Sequence, residues 1–340
     1  MAGLTTAWVQ AHPSMVVPEI LMQYNQPSGV FEAFAGSAPE VKIGSEDLTV
    51  YVRRLDVRTA TVSGQSAYNM LPSVSINANM ISTPTYIVRT RAEFDHHDTA
   101  QAGNWGFSLP EAQRLGMRQG IFQQMRLAAL YGMSPSNGEG LMNTTGATTT
   151  TLPADSFGNS TIQTYDNGQM ALYLLGLIAA IKIRTYQAGI NQRIVILGPQ
   201  RVLALWQNVG IVQLTSFQRP GGGSATVGGT VESILEMAGD TVQFAYDDTL
   251  IGKGTGGRDA VILTLPEIEL PKQMSNVNTN EFAKLQPSHK GANMMYCDMA
   301  APREIPTPIP GGALDIVSEL RITSGWSLRP EAITILSATY

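Results

Sequence analysis

Residues 46–95 constrain this chain more than any other stretch, because they read as a long two-stranded ribbon with no core of its own. The descending half runs from Leu48 through Val50, Val52, Leu55 and Val57 to Val62. The returning half alternates, with Val74, Ile76, Ala78 and Met80 on one face and Ser75, Asn77 and Asn79 on the other. Alternation with period two in a run rich in β-branched residues is the signature of a strand. Gly64, Asn69, Pro72 and Ser73 supply the turn between the halves. An isolated ribbon is marginally stable in water and its open edges invite pairing. The ribbon therefore needs a surface to lie on, most economically a neighbouring copy of the same protein.

Composition agrees with that reading. Charged residues are 14% of the chain, well under the usual ~25%, while the apolar share of 43% is ordinary. A surface so poor in charge is one covered by partners; the alternative is a large neutral monomer rich in Ser, Thr, Asn and Gln. The net charge of −5 excludes a strong overall grip on nucleic acid. Sixteen arginines against six lysines favour bidentate, interface-type pairing. The single cysteine, Cys297, excludes an internal disulfide framework and fits a reducing compartment. The first residues lack the layout of a signal peptide, and the longest apolar run, residues 170–183, is too short to span a bilayer and carries Lys182. The expectation is a soluble protein made in the cytoplasm, with no membrane partner.

A chain of 340 residues has room for about two domains. Residues 1–44, broken by Pro13, Pro18, Pro27 and Pro39, read as an extended arm with one short helix near residues 19–24. Ser108, Pro110 and Glu111 open a long helix ending at Gly132, with Leu115, Phe122, Met125 and Ala129 on one face. A second helix begins near Asp166; its residues, from Met170 to Ile183, are apolar nearly all round, so it is expected to be buried. Residues 193–197, 242–246, 260–264, 316–323 and 332–338 read as strands, and 199–208 and 230–237 as short helices. The proline-rich stretch 301–310 reads as a connector and 220–229 as a flexible loop. No internal repeat is visible.

No constellation makes a credible active site. Asp95, His96, His97 and Asp98 are metal-ligand types, but adjacent side chains of an extended segment diverge; a polar hinge, where the ribbon rejoins the body, is the simpler reading. Gly252, Gly254 and Gly257 match the dinucleotide-binding spacing, yet a strand follows instead of the helix whose N-terminus would face the pyrophosphate. No nucleophile elbow or phosphate loop is present, and Cys297 lies among apolar neighbours, as inert thiols do. No catalytic residue, cofactor-binding residue or metal ligand is assigned. Arg53, Arg54, Arg58, Arg89 and Arg91 sit on the ribbon with Glu93 nearby; they are either solvated charge or partners for carboxylates on a neighbouring subunit. Tyr68, Met70 and Leu71 give the tip its apolar contacts.

The order of elements (arm, ribbon, long helix, mixed body) resembles the major capsid protein of tailed bacteriophages, whose α+β architecture is the Johnson fold, shared with encapsulin shell proteins. Gly138, Glu139, Gly140, Leu141 and Asn143 resemble the family's Gly-Leu-x-Asn turn. Residues 194–199 look like its buried strand and proline-led helix, and Glu319 to Arg321 with Arg329 to Ile333 are similar to its closing strands. The resemblance covers residues 30–340. It implies an N-terminal arm (1–45), an extended β-hairpin loop (46–92), a peripheral domain on the strut helix (93–165 and 270–328) and an axial domain (166–269 and 329–340). The loop with Pro220, Gly221, Gly222 and Gly223 would lie near the capsomer axis. Implied too are hexamers and pentamers of this chain in an icosahedral head, with a portal and scaffolding or decoration proteins as partners. Contact with packaged double-stranded DNA would be weak and non-specific, and the virion, assembled in the host cytoplasm, would be its place. Some members crosslink by a Lys–Asn bond from the extended loop; here no lysine lies between Lys42 and Lys182. The arm begins at residue 1 without a charged scaffolding segment, so scaffolding is either separate or already cleaved. The alternatives are an encapsulin-like nanocompartment shell and, from another class, a soluble α/β hydrolase.

Overall fold

The computed structural model describes residues 28–37, 41–58, 75–104, 106, 108–185, 192–208, 231–232, 235–236, 239–269, 290–310 and 313–340. In chain order its elements are β1 (Val41–Lys42), β2 (Thr49–Arg58), β3 (Ser75–Phe94), α1 (His96–Asn104), α2 (Leu109–Tyr131), β4 (Thr148–Thr151), α3 (Asn167–Arg184), β5 (Arg193–Gly198) and α4 (Gln200–Asn208). There follow β6 (Thr241–Tyr246), β7 (Asp259–Thr264), β8 (Glu267–Glu269), β9 (Lys290–Ala292), β10 (Met294–Met295), β11 (Cys297–Asp298), β12 (Arg303–Ile309), β13 (Ala313–Thr323), β14 (Trp326–Ser327) and β15 (Ile333–Ala338).

Two sheets organise the chain. In the first, the order is β1-β11-β13-β3-β2, with β12 also against β13. Strand β3 is its spine. Residues 75–84 pair with β2 as the ribbon, and residues 85–94 pair with β13. In the second, the order is β4-β15-β7-β5-β6. Strands β7 and β15 are buried at every residue, and β5 at all but Arg193, as continuous apolar runs require. Two short pairs, β8 with β9 and β10 with β14, close the connections. The expected strands and helices are present where described; β4, not among the expected strands, pairs with β15 in the second sheet.

Helix α2 spans 23 residues, about 34 Å at ~1.5 Å per residue. Ser108 holds the N-cap position but its hydroxyl makes no capping bond; Gly132 ends the helix by donating to the Ala128 carbonyl. The buried residues of α2 are Met117, Ile121, Ala128, Ala129 and Leu130; of the expected face Ala129 is fully buried, whereas Leu115, Phe122 and Met125 are only partly so. Helix α3 is capped by Asp166, which accepts from the Gln169 amide, and carries Lys182 and Arg184 in its last turn, where they complement the helix dipole.

Three expectations need correction. The arm is not extended throughout: residues 28–37 are wedged into the body, with Val30, Ala33 and Phe34 fully buried and Phe31 against Phe122 and Tyr296. Beyond them β1 joins β11. Residues 1–27, the helix expected there and the loop holding Pro220 to Gly223 lie outside the described residues. The stretch 301–310 is a strand, β12, not a connector. Residues 96–104 are helix α1, and the ribbon rejoins the body about ten residues earlier, at Thr85.

Candidate functional site

The two ends of β3 present opposite faces to the core. On the ribbon, Val50, Val52 and Ile81 pack against Ile43, Met295, Cys297 and Trp326. After Thr85 the inward residues become Tyr86, Val88, Thr90 and Phe94, toward α2. The described base of the ribbon therefore has a core contact on its own molecule, contrary to the expectation that all of it lies on neighbours. Its outward face nevertheless carries large apolar side chains beside the exposed Arg53 and Ser82: Tyr51 is 62% exposed and Met80, opposite Arg53 in the ladder, is 56% exposed. Arg54 and Arg58 stand opposite Asn79 and Ser75 by backbone register. Tyr68, Met70 and Leu71 fall outside the described residues.

Arg89, Arg91 and Glu93 are on the body half of β3, not on a projecting arm, and they have partners in their own chain. Arg89 meets Glu319 at 3.1 Å, and Arg303 approaches the same carboxylate at 3.9 Å, so three neighbouring strands carry one charged row. Arg91 donates to Asp315 at 2.8 Å and to Glu93 at 3.1 Å. All three remain exposed on the outer surface.

A second apolar surface runs along α3. Leu172, Gly176, Ala179, Ala180 and Ile183 recur at helical spacing on its solvent side, with Leu172 at 69% and Ile183 at 65% exposure. Phe157, 72% exposed, belongs to the loop fastened to the start of α3 by the bond from the Ser156 amide to Gln169 (3.0 Å). The helix expected to be buried all round is buried on one side only.

Between the two sheets the sequence reading missed a polar junction. Glu139 is buried and accepts from the Tyr86 hydroxyl (2.8 Å), the Ser324 hydroxyl (2.7 Å) and the Ser134 amide (3.2 Å). Burial, and then the neighbouring carboxylate, push the Tyr86 phenol up to about 12. Four residues on, Asn143 donates to the last α2 carbonyl, Tyr131, at 2.6 Å. The Gly-Leu-x-Asn turn is thus a C-terminal lock on α2. Asp247, also buried, ties α2 to the second sheet, accepting from Ser28 (2.5 Å) and the Thr249 amide (2.9 Å) with Arg126 at 3.7 Å. The single hint in the sequence was the Gly138–Asn143 motif itself.

Asp95, His96 and His97 have donor atoms within 4.8 Å of one another, because a helix starts there and gathers what an extended segment would splay. All are at the surface, at a helix N-terminus whose dipole disfavours a cation. The glycine loop at 252–257 leads into β7, as expected, and its Gly252 amide is spent on Asp259. Among the described residues, no helix is long and apolar enough to cross a membrane.

No protein-family model matches the sequence, and no curated protein sequence is similar to it. Solved structures are similar to it over nearly the whole chain. The capsid of Myoviridae phage XM1 superposes with a TM-score of 0.66 at 12% identity, covering 96% of both chains. A structure from Mycobacterium phage Che8 gives 0.56 at 13% identity, covering 97% of this chain and 98% of that one. The capsid of an empty GTA particle gives 0.55 at 11% identity, covering 98% and 96%. The chain has the mixed helix-and-sheet fold of these phage capsid structures.

Proposed function

We propose that this chain is the major capsid protein of a tailed bacteriophage, a structural protein that builds an icosahedral head from hexamers and pentamers around double-stranded DNA. The observation that carries the reading is the likeness to capsid structures over 96% of both chains, joined to apolar faces on the ribbon and on α3 that the single chain leaves uncovered. Fully burying a Leu or Ile side chain is worth about 1.5–3 kcal/mol. Leu172 and Ile183, each about two-thirds exposed, retain most of that gain for contact with another copy, and a shell repeats it at every copy. Subunits of this kind need no covalent weld. With no lysine between Lys42 and Lys182, the ribbon does not supply a Lys–Asn crosslink, and the lattice holds by non-covalent contact. An acidic subunit suits a lining that must release DNA. No reaction is assigned to the chain.

Electron microscopy of the expressed protein tests this. Closed shells of uniform diameter are expected, and the same preparation lacking residues 59–74 is expected to give none. Particles filled with protein cargo would point to a nanocompartment; a stable monomer near 37 kDa that hydrolyses esters would overturn the proposal.

A further inference from the structure

Residues 302, 306, 308 and 310 are all proline, yet Arg303–Ile309 pairs along its whole length with β13. Proline has no amide proton and cannot donate to a ladder. The strand survives only if those nitrogens point away from the partner. In an antiparallel pair, the N–H and C=O of one residue face the same side, and successive residues alternate.

Two hydrogen bonds fix the phase. The Met299 amide donates to the Arg321 carbonyl at 3.0 Å, so odd-numbered residues of β13 aim their backbone at the side occupied by β11. Strand β3 fills the other side of β13 from Leu314 to Thr323, which leaves β12 on the side of β11. The Thr85 amide donates to the Leu48 carbonyl at 3.0 Å, so odd-numbered residues of β3 face β2 and even-numbered ones face β13, in agreement. The bonded residues of β12 are then Arg303, Ile305, Thr307 and Ile309, opposite Glu319, Val317, Asp315 and Ala313. Glu304, Pro306 and Pro308 face outward, continued in the same phase by Pro302 and Pro310. Of those five outward positions only Glu304 has an amide to offer.

We infer that β12 is a closed edge: the prolines block strand addition there by another copy of the chain and confine association between copies to other surfaces. Among the described residues β12 has no strand partner but β13, and its residues 305–308 are all exposed, so no described residue covers that part of the margin. The opposite margin, β2, has no proline over Thr49–Arg58. A chain held at high local concentration by its own assembly is where an unguarded edge does most harm, and outward prolines are an efficient guard because the inward ladder keeps all its donors.

Hydrogen exchange on the full-length protein reads the phase directly. The amides of Ile305, Thr307 and Ile309 are expected to exchange slowly and that of Glu304 fast. The double variant Pro306→Thr/Pro308→Thr restores two outward donors; it is expected to keep the native fold and to form concentration-dependent, thioflavin-positive material that the natural protein does not form. Protection of Glu304 equal to that of Ile305 and Thr307 would overturn the assigned phase. A double variant with natural association behaviour at every concentration would overturn the guarding role.

Discussion

Gly132, Gly140 and Gly325 meet where α2 ends, and replacing Gly140 by alanine tests whether that packing holds the two sheets together. A Cβ on Gly140 would lie 2.5 Å from the Tyr131 carbonyl carbon and 2.7 Å from the Leu130 carbonyl oxygen. These are rigid backbone atoms that cannot swing aside. Gly140 also has φ near +86° and ψ near 147°, a region essentially reserved for glycine that costs an L-residue about 1–3 kcal/mol. Relieving overpacking costs about 1–3 kcal/mol more. The shift strains the 2.6 Å bond from the Gly140 amide to the Gly325 carbonyl, worth about 0.5–1.5 kcal/mol. Gly140→Ala should therefore lose about 3–7 kcal/mol, a large part of the ~5–15 kcal/mol of a whole domain. Gly256 also has positive φ (+72°), but with ψ 27° it lies in the left-handed α region and has open space around it, so Gly256→Ala should lose only about 1–2 kcal/mol. Gly176→Ala, in open space inside α3, should gain about 0.5–1 kcal/mol. Guanidinium unfolding of dispersed protein, followed by tryptophan fluorescence, measures all three. If Gly140→Ala falls within 1 kcal/mol of Gly256→Ala, the junction is not the close-packed contact described.

Three further outcomes are expected. Leu172→Glu and Ile183→Glu should each change the stability of the isolated fold by no more than about 0.5 kcal/mol, as surface changes do, yet abolish closed shells in electron micrographs; natural shells from both would remove α3 from the contact surface. Tyr86 stays un-ionised in the fold until about pH 12, while an unfolded tyrosine ionises near 10. Its contribution is thus complete below pH 10 and lost as pH climbs toward 12, so denaturation midpoints across that window should fall more steeply for the natural protein than for Tyr86→Phe; equal slopes would contradict the Tyr86–Glu139 contact. Arg89→Ala, removing an exposed partner of Glu319, should cost the fold under about 1 kcal/mol in thermal unfolding.

What the sequence disclosed follows from the range of the interactions involved. Helices α2 and α3, strands β5, β7 and β15, and the ribbon pairing all depend on periodicity and nearby turn residues, and these were readable. Arg89 and Glu319 are 230 positions apart and Ser28 and Asp247 are 219 apart; no local pattern announces such pairs, so the sequence does not show that Arg89 and Arg91 have carboxylate partners in their own chain. The prolines of β12 are a different case. Counting them demoted the strand, whereas their shared parity, visible in the sequence, would have kept it and identified its outer edge. Helix α3 shows a deeper limit. Apolar residues all round a helix state only that water is to be excluded, and a molecule's own core and a second copy do that equally well. Leu172, Ile183, Tyr51 and Met80 are the residues for which the two diverge: apolar in the sequence, open in the single chain. An excess of apolar residues beyond what the folded chain covers is therefore a measure of how much of the structure must be completed by other molecules, and here it lies on the ribbon and on one side of α3, the two surfaces where a shell would be joined.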